Sequence, residues 1–504
     1  MQTVNVTLDP ARQVSPVSRH LFGSFVEHVG RCVYTGIFEP THPSADAAGM
    51  RTDVLALVKE LGVTIVRYPG GNFVSGYRWE DGVGPVERRP RRLDLAWHST
   101  EPNTFGLDEY MRWATSAGVD TIMAVNMGTR GLQEALDILE YCNVPGGTAL
   151  SDARRAHGSG APYRVKFWCL GNEMDGPWQI GARSAREYGQ LASRTAKAMR
   201  MIDPELKLVV CGSSGSQMPT FGTWERTVLE ETYDDVDFVS AHAYYAETDG
   251  DLGSFLASAV DMDRVIDSVV AICDEVGRAR QSDRRIMISF DEWNVWYQDR
   301  APSVPPSGDD WPVAPALLED RYSVADAVVV GSLLIALLRH ADRVQVACLA
   351  QLVNAIAPIV TEPGGRAWRQ TIFHPFALTA RHARGIVLQT PVDGPSCTTS
   401  RYGDVVVVDG VATYDPDSRE VAVFLVNRSQ DAPTRVELQL TAELRSARVI
   451  EAVQYSSADP HWTATAEDAD RVLPQPFRPE AAGASLSAEL PPVSWAMIRL
   501  SVGT

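Results

Sequence analysis

The stretch Val165-Lys-Phe-Trp-Cys-Leu-Gly-Asn-Glu173 passes from an apolar run directly into a glycine, an amide and a carboxylate. Short apolar runs of this kind are typical of strands that are buried on both faces of a parallel sheet. A carboxylate at the end of such a strand is costly to bury unless it is paired or has a function. The stretch therefore predicts a parallel strand with a polar site at its carboxyl end.

The same pattern recurs along the first three quarters of the chain. Eight apolar runs end in polar or glycine-rich residues, at 21–26, 63–68, 121–125, 165–170, 207–211, 237–241, 286–290 and 344–349. Stretches with helical spacing lie between them, at 50–61, 106–117, 132–142, 184–202 and 324–340. This alternation predicts an α/β fold, a (β/α)8 TIM barrel, whose catalytic face is built from the carboxyl ends of the strands.

The pattern changes at about residue 386 to short alternating strands separated by Gly, Pro, Asp and Ser turns. The predicted strands lie at 405–408, 420–426, 435–440, 448–453 and 496–502. They indicate a C-terminal all-β sandwich, to which the alternating segment 2–8 could add a strand. We expect a catalytic barrel at 14–385 and a sandwich at 386–504, joined by an N-terminal strand within 1–13, and we assign the sandwich a structural role.

Composition restricts the class of protein. The 504 residues are 45% apolar and 22% charged, as in soluble globular proteins, and the net charge of −18 disfavours nucleic acid and anionic membranes as partners. Residues 1–10 lack the features of a signal peptide, and the apolar stretch 324–338 is too short to cross a bilayer, so we expect a buried helix there and a cytoplasmic protein. The seven cysteines and ten histidines show no disulfide or metal-ligand spacing, so no metal or cofactor is expected.

Two glutamates end apolar runs in similar surroundings. Glu173 follows the fourth run, and Glu292 follows the seventh in Ile288-Ser-Phe-Asp-Glu-Trp-Asn294. A single glutamate in such a place could instead pair with an arginine or interact with the start of the next helix. Two of them at one barrel mouth match the paired carboxylates of glycoside hydrolysis, in which one donates a proton and the other attacks the sugar or activates water.

Aromatic side chains surround the same rim, where they could stack on the apolar faces of sugars or simply pack in the wall. They are Trp97, Trp178, Trp293, Trp296, Tyr244 and Tyr245. The pair Gly70-Gly71 lacks the frame of a nucleotide-binding loop, so we expect it to let the backbone approach a sugar.

Three strings carry a resemblance to a known family. Arg67-Tyr-Pro-Gly-Gly-Asn-Phe73, Trp168-Cys-Leu-Gly-Asn-Glu-Met-Asp-Gly-Pro-Trp178 and Asp291-Glu-Trp-Asn294, in this order, resemble the α-L-arabinofuranosidases of glycoside hydrolase family 51. The resemblance covers nearly the whole chain. It implies a barrel with catalytic glutamates on strands four and seven and an exo-acting enzyme that hydrolyses arabino- and arabinoxylo-oligosaccharides with retention of configuration. It also implies a homo-oligomer, often a hexamer.

The resemblance also implies the roles of individual residues. Glu173 would be the general acid/base and Glu292 the nucleophile, about 5 to 5.5 Å apart. The furanose pocket would consist of Glu27, Asn72, Asn172, Tyr244 and Gln351, with Tyr244 orienting Glu292. Trp97 and Trp178 would border the leaving group, and His242 would either join the hydrogen bonds of Glu292 or be structural.

Two other functions remain open from the sequence. The same barrel could carry a β-xylosidase or endoglucanase, because a fold does not determine a substrate. A carbohydrate-binding protein without catalytic activity could use the same aromatic rim, although the two glutamates argue against it.

Overall fold

Eight parallel strands close into a barrel in the computed structural model, which describes residues 2–298, 304–482 and 485–503. The strands up to the end of the barrel are β1 (Gln2–Leu8), β2 (Gln13–Pro16), β3 (Gly23–Phe25), β4 (Ile65–Tyr68), β5 (Arg92–Asp94), β6 (Ser99–Glu101), β7 (Asp120–Ala124), β8 (Phe167–Leu170), β9 (Lys207–Val210), β10 (Phe238–Tyr245), β11 (Met287–Val295) and β12 (Val344–Leu349). The barrel runs β3-β4-β7-β8-β9-β10-β11-β12, and β12 pairs with β3. Each of the eight predicted runs overlaps one barrel strand, so the predicted TIM barrel is confirmed.

Helices connect the barrel strands and cover the outside of the barrel. They are α1 (Thr52–Leu61), α2 (Leu107–Ala117), α3 (Leu132–Asn143), α4 (Ala149–Ala156), α5 (Ala185–Ile202), α6 (Thr223–Thr232), α7 (Leu252–Leu256), α8 (Ala259–Ala279), α9 (Val324–Arg339) and α10 (Phe373–His382). Five were predicted, with ends within two residues of those observed. Helix α5 starts at a capping box between Ser184 and Glu187, a start signal that can be read directly in the sequence.

Strands β10 and β11 are longer than the sequence predicted, because they continue to pair as far as Tyr245 and Val295. Strand β11 contains one extra residue between the pairs Ser240–Ser289 and His242–Glu292. Neighbouring side chains of a regular strand point to opposite faces, and such a bulge changes that direction. It accounts for the inward position of both Asp291 and Glu292.

In the described ranges, the C-terminal region contains two multi-stranded sheets and two two-stranded hairpins. Its strands are β13 (Ile359–Thr361), β14 (Ala367–Arg369), β15 (Ile386–Leu388), β16 (Val392–Asp393), β17 (Ser396–Thr399), β18 (Gly403–Val406), β19 (Val408–Asp415), β20 (Glu420–Asn427), β21 (Thr434–Leu440), β22 (Arg448–Tyr455), β23 (Gln475–Pro476), β24 (Glu480–Ala482), β25 (Ser485–Leu490) and β26 (Ser494–Ser501). Within the described residues, the smaller sheet runs β16-β1-β21-β25-β24 and the larger runs β2-β15-β19-β20-β26-β22-β23. Apolar side chains from both sheets form a core of their own, as expected of a sandwich.

Two details of the sandwich concern its N-terminal strand and the hairpin before β19. The N-terminal strand β1 pairs in parallel with β21, so the first residues of the chain belong to the smaller sheet. The predicted single strand 405–408 is wrong: β18 ends at Val406, pairs with β17 in a separate hairpin, and β19 begins at Val408. The alternating pattern continues through Val407, so it could not mark the change from one sheet to the other.

Helix α9 lies between the barrel and the sandwich and contacts both. Residues 324–338 are all buried, which confirms the predicted buried helix. Gly331 is needed there, because a Cβ atom would lie 2.2 Å from Cδ1 of Trp495. In the described part of the chain, no helix combines the length and apolar character that crossing a membrane requires.

Candidate active site

A pocket of about 370 Å³ opens at the carboxyl ends of the barrel strands, where the sequence placed the site. Eight of the ten predicted site residues line it: Glu27, Asn72, Trp97, Glu173, Trp178, Tyr244, Glu292 and Gln351. The other two, Asn172 and His242, are buried beside it. The barrel thus brings together residues that lie up to 324 positions apart, such as Glu27 and Gln351.

Glu173 lies three residues beyond the end of β8, in a left-handed conformation with φ of 43° that few residues other than glycine adopt. Its Oε1 accepts a hydrogen bond from Nδ1 of His242 at 2.9 Å, and its Oε2 accepts one from the indole N–H of Trp178 at 2.8 Å. Burial raises the pKa of Glu173, and the nearby charge of Glu292 adds to this, whereas His242 and Trp178 lower it. The net shift is upward, which favours a protonated carboxyl group.

Glu292 has a hydrogen-bond donor for each carboxylate oxygen. Its Oε1 accepts from the guanidinium of Arg67 at 2.7 Å, and its Oε2 accepts from the hydroxyl of Tyr244 at 2.8 Å. Burial opposes the charge of Arg67, but the charges of Asp291 and Glu292 raise its pKa well above the usual value. Arg67 is therefore a permanent cation beside Glu292.

Asp291 and His242 connect the two glutamates beneath the pocket. Nε2 of His242 lies 3.0 Å from Oδ1 of Asp291, and Asp291 lies 3.7 Å from Nε of Arg67. Burial lowers the pKa of His242, but the surrounding carboxylates of Glu292, Asp291 and Glu173 outweigh it and raise this pKa well above its usual value. His242 is within hydrogen-bond distance of Glu173 and Asp291. Its Nδ1 lies 3.7 Å from Oε2 of Glu292, which is beyond hydrogen-bond distance.

The two glutamates lie close together. One carboxylate oxygen of Glu173, one of Glu292 and one ring nitrogen of His242 all lie within 4.8 Å of one another. Among the residues that the structure describes, these three are the one group of potential metal ligands that is this compact. Other protein groups donate hydrogen bonds to both glutamates. Trp178 donates to Glu173, and Arg67 and Tyr244 donate to Glu292.

Glu27 is the third glutamate that lines the pocket. Its Oε1 accepts from the backbone N–H of Phe73 and from the indole N–H of Trp97, both at 2.9 Å, and its Oε2 accepts from Nε2 of Gln351 at 2.9 Å. Burial raises the pKa of Glu27, although these donors from Phe73 and Trp97 lower it. Trp97 lies in the β5–β6 hairpin and donates to Glu27, whereas Trp178 donates to Glu173. The two predicted tryptophans therefore contact different carboxylates.

The pocket floor depends on a glycine. A Cβ atom at Gly71 would lie 3.0 Å from Oε1 of Glu292, 3.3 Å from Nδ2 of Asn172 and 3.5 Å from Oε2 of Glu27. Arg67 donates to Oδ1 of Asn172 at 2.8 Å and so turns its amide N–H2 towards this point. A side chain at Gly71 would occupy the space between three polar groups, as expected for a place where the backbone approaches a ligand.

Arg67 and Asp291 are site residues that were not predicted from the sequence. The position of Arg67 inside the buried strand β4 is the signal that could have identified it, because arginine is rarely buried unless it is paired. Asp291 directly precedes Glu292, and only the bulge in β11 explains how both can face inward.

Comparison with known proteins gives consistent matches along the chain. A family profile described as the α-L-arabinofuranosidase 1 domain matches residues 57–261, and one described as the α-L-arabinofuranosidase C-terminal domain matches residues 291–494. An intracellular exo-α-(1→5)-L-arabinofuranosidase from Streptomyces lividans is 57% identical over 99% of this chain and 75% of its own length. An exo-α-(1→6)-L-arabinofuranosidase from Bifidobacterium longum is 54% identical over 99% of this chain and 98% of its own length.

Solved structures agree with the sequence relatives. A family 51 α-L-arabinofuranosidase from Bifidobacterium longum superposes with a TM-score of 0.95 and 48% identity, over 98% of this chain and 99% of the other. An α-L-arabinofuranosidase from Thermotoga maritima, solved as a complex with arabinose, superposes with a TM-score of 0.86 and 31% identity, over 99% of both chains.

Proposed function

This chain belongs to the α-L-arabinofuranosidases of glycoside hydrolase family 51, and from that premise we propose that it hydrolyses arabino- and arabinoxylo-oligosaccharides with retention of configuration. The observation that carries the proposal is that one carboxylate oxygen of Glu173 lies within 4.8 Å of one carboxylate oxygen of Glu292. Retaining enzymes hold their carboxyl groups about 5 to 5.5 Å apart, whereas inverting enzymes need about 6.5 to 9.5 Å to admit a water molecule.

In the first step, Glu292 attacks the anomeric carbon and forms an arabinosyl ester, while Glu173 gives its proton to the departing oxygen. Arg67 and Tyr244 hold Glu292 from two sides and fix its direction of attack. The raised pKa of Glu173 keeps the proton available for transfer.

In the second step, Glu173 acts as the base. Its carboxylate takes a proton from a water molecule, whose oxygen attacks the anomeric carbon and displaces Glu292. The imidazole of His242, which is hydrogen-bonded to Glu173 and held by Asp291, stabilises Glu173 while it is negatively charged. The two inversions give net retention, and Glu173 is protonated again at the end of the cycle.

The pocket suits a single terminal sugar. Glu27, Asn72 and Gln351 line a volume of about 370 Å³ together with the two glutamates. The amide N–H2 of Asn172, next to Glu292, is placed to bind the hydroxyl beside the anomeric carbon. A small pocket with several polar groups around one point supports release of one terminal arabinose at a time.

The cellular location and assembly follow from the relatives and the resemblance. The Streptomyces lividans relative is named an intracellular enzyme, and on that basis we place this protein in the cytoplasm. The homo-oligomer, expected to be a hexamer, stays a prediction that light scattering of the purified protein would test.

Substrate profiling tests the proposed function. We expect rapid hydrolysis of α-1,5-arabinobiose and nitrophenyl α-L-arabinofuranoside, slower release from polymeric arabinan, and at most trace activity on nitrophenyl β-D-xyloside. Polymeric arabinan cleaved internally, or a preference for the xyloside, would contradict it.

Trp97→Phe tests the role of Glu27 in the pocket. The variant keeps an aromatic ring but removes the donor to Glu27, so we expect kcat/KM for arabinobiose to fall about tenfold, the effect of one hydrogen bond to a charged group. Trp113→Phe is the matched control, because Trp113 is buried and its indole N–H has no partner in the described residues. An equal loss in both variants would show a packing effect instead.

His242→Gln tests the positioning of the acid/base. His242 lowers the pKa of Glu173, so without the imidazole this pKa rises and the protonated form persists to higher pH. The alkaline limb of kcat/KM for arabinobiose should therefore move to higher pH. A dinitrophenyl arabinoside, which needs no proton donor, is the control and should show no such movement. An unmoved or downward-shifted limb for arabinobiose would argue that His242 is only structural.

A further inference from the structure

A second groove, of about 890 Å³, continues from the active-site pocket along the barrel rim to the sandwich. The groove and the pocket share five lining residues: Trp178, Ser214, Tyr244, Trp296 and Gln298. The far end of the groove is formed by Arg401 and Tyr402, which lie in the turn between β17 and β18. No motif in the sandwich sequence predicted a role in binding.

The groove begins on the side of the proton donor. Trp178, which donates to Glu173, lines both the pocket and the groove, and its side chain is 52% exposed. Glu27 and Gln351 line the pocket but not the groove. Because the leaving group departs beside the proton donor, the groove lies where the rest of the substrate would extend.

The far end has side chains suited to a sugar. The guanidinium carbon of Arg264 lies 5.8 Å from the centre of the Tyr402 ring. Asp261 also lines the groove, and its carboxylate accepts a hydrogen bond from the hydroxyl of Tyr245 at 3.2 Å. A ring for the apolar face of a sugar, with a charged donor and acceptor for its hydroxyls, is a usual composition of a carbohydrate site.

The turn that carries Tyr402 is fixed to the barrel. The hydroxyl of Ser400 donates to Asp251, the backbone N–H of Arg401 donates to Ser254 at 3.2 Å, and the guanidinium of Arg401 donates to Thr248. These bonds join the hairpin to the segment that follows β10. The turn is therefore a preformed wall of the groove, so little ordering would oppose binding there.

We propose that the turn at 400–402, together with Asp261 and Arg264, forms a distal subsite for the reducing-end pentose units of an arabino-oligosaccharide. The inference rests on the proposed function, because it assigns the groove to the leaving-group part of the same substrate. The sandwich then contributes directly to the choice of substrate length.

Chain-length kinetics test the distal subsite. In the wild-type protein, kcat/KM should rise from α-1,5-arabinobiose to arabinopentaose. Tyr402→Ala should lower the ratio of kcat/KM for arabinopentaose to that for arabinobiose about tenfold, the size expected for one lost stacking contact. Tyr402→Phe keeps the ring and should keep the wild-type ratio. Arg264→Ala, at an exposed position of α8, should also lower the ratio, and provides a second variant should Tyr402→Ala misfold.

Arg435→Ala is the matched control, because Arg435 is exposed on β21 in the smaller sheet and is not part of the groove. It should leave the ratio unchanged. A wild-type ratio in both Tyr402→Ala and Arg264→Ala, or no rise with chain length in the wild type, would overturn the distal subsite while leaving the proposed function intact. If the wild-type protein cleaved none of these arabinosides, the proposed function itself would fail.

Discussion

Replacing Glu292 by alanine is expected to lower kcat on nitrophenyl α-L-arabinofuranoside by roughly 10⁴- to 10⁶-fold, the scale of loss when a catalytic nucleophile is removed. The variant has no group that can form the arabinosyl ester. Arg67 keeps its hydrogen bond to Asn172 and its proximity to Asp291, so the buried cation is not left without partners and the fold should persist. Steady-state kinetics with a thermal unfolding scan measure both effects.

A small anion provides a sharper form of this experiment. Azide can enter the space that the Glu292 side chain leaves and attack the anomeric carbon from the same side, which should restore activity and yield the β-arabinosyl azide. Glu443→Ala is the control, because Glu443 is exposed on the sandwich. Residual activity within tenfold of the wild type, without azide, would remove Glu292 from the role of nucleophile.

Replacing Glu173 by alanine should separate substrates by their leaving groups. For arabinobiose, whose departing sugar must be protonated, kcat/KM should fall about 10²- to 10⁴-fold, the usual contribution of a general acid. For a dinitrophenyl arabinoside, kcat/KM should fall far less, because that leaving group departs as an anion. The second step also loses its base, so kcat should drop and the arabinosyl ester should accumulate.

The accumulated ester gives an independent readout. Intact-protein mass spectrometry of Glu173→Ala with the dinitrophenyl substrate should show the mass of one added arabinosyl unit. Azide should raise kcat and give the α-arabinosyl azide, because it replaces water in the second step. Equal losses of kcat/KM on both substrates would contradict the acid role of Glu173.

Most of the barrel could be predicted from the sequence because its strands are buried on both faces and five of its helices show helical spacing of apolar residues. Helices α4, α6, α7, α8 and α10 were not predicted, and the lengths of β10 and β11 were underestimated. Both strands continue through polar residues such as His242 and Glu292. In a hydropathy pattern, polar residues after an apolar run predict the end of the strand. Only the pairing of the backbone shows that these residues are still within the sheet.

The location of the site could be predicted because the carboxyl ends of all eight strands lie at one face of a barrel. That argument brings Glu173 and Glu292 together but says nothing of the direction in which a side chain points. Three features of the site depend on tertiary contacts and could not be predicted from the sequence. They are the bulge in β11, the orientation of the Asn172 amide by Arg67, and the position of Trp97 beside Glu27. The distal subsite is a further case, because it joins the barrel to a hairpin about 140 residues later in the chain.

The configuration of the first product tests the central claim most directly. Time-resolved NMR of nitrophenyl α-L-arabinofuranoside hydrolysis shows which anomer of arabinose appears before mutarotation. Two displacements through Glu292 predict α-arabinose as the first product, with release slowed roughly 10⁴- to 10⁶-fold in Glu292→Ala. Initial β-arabinose would mean a single displacement by water and would contradict the account, although the enzyme would still be a hydrolase.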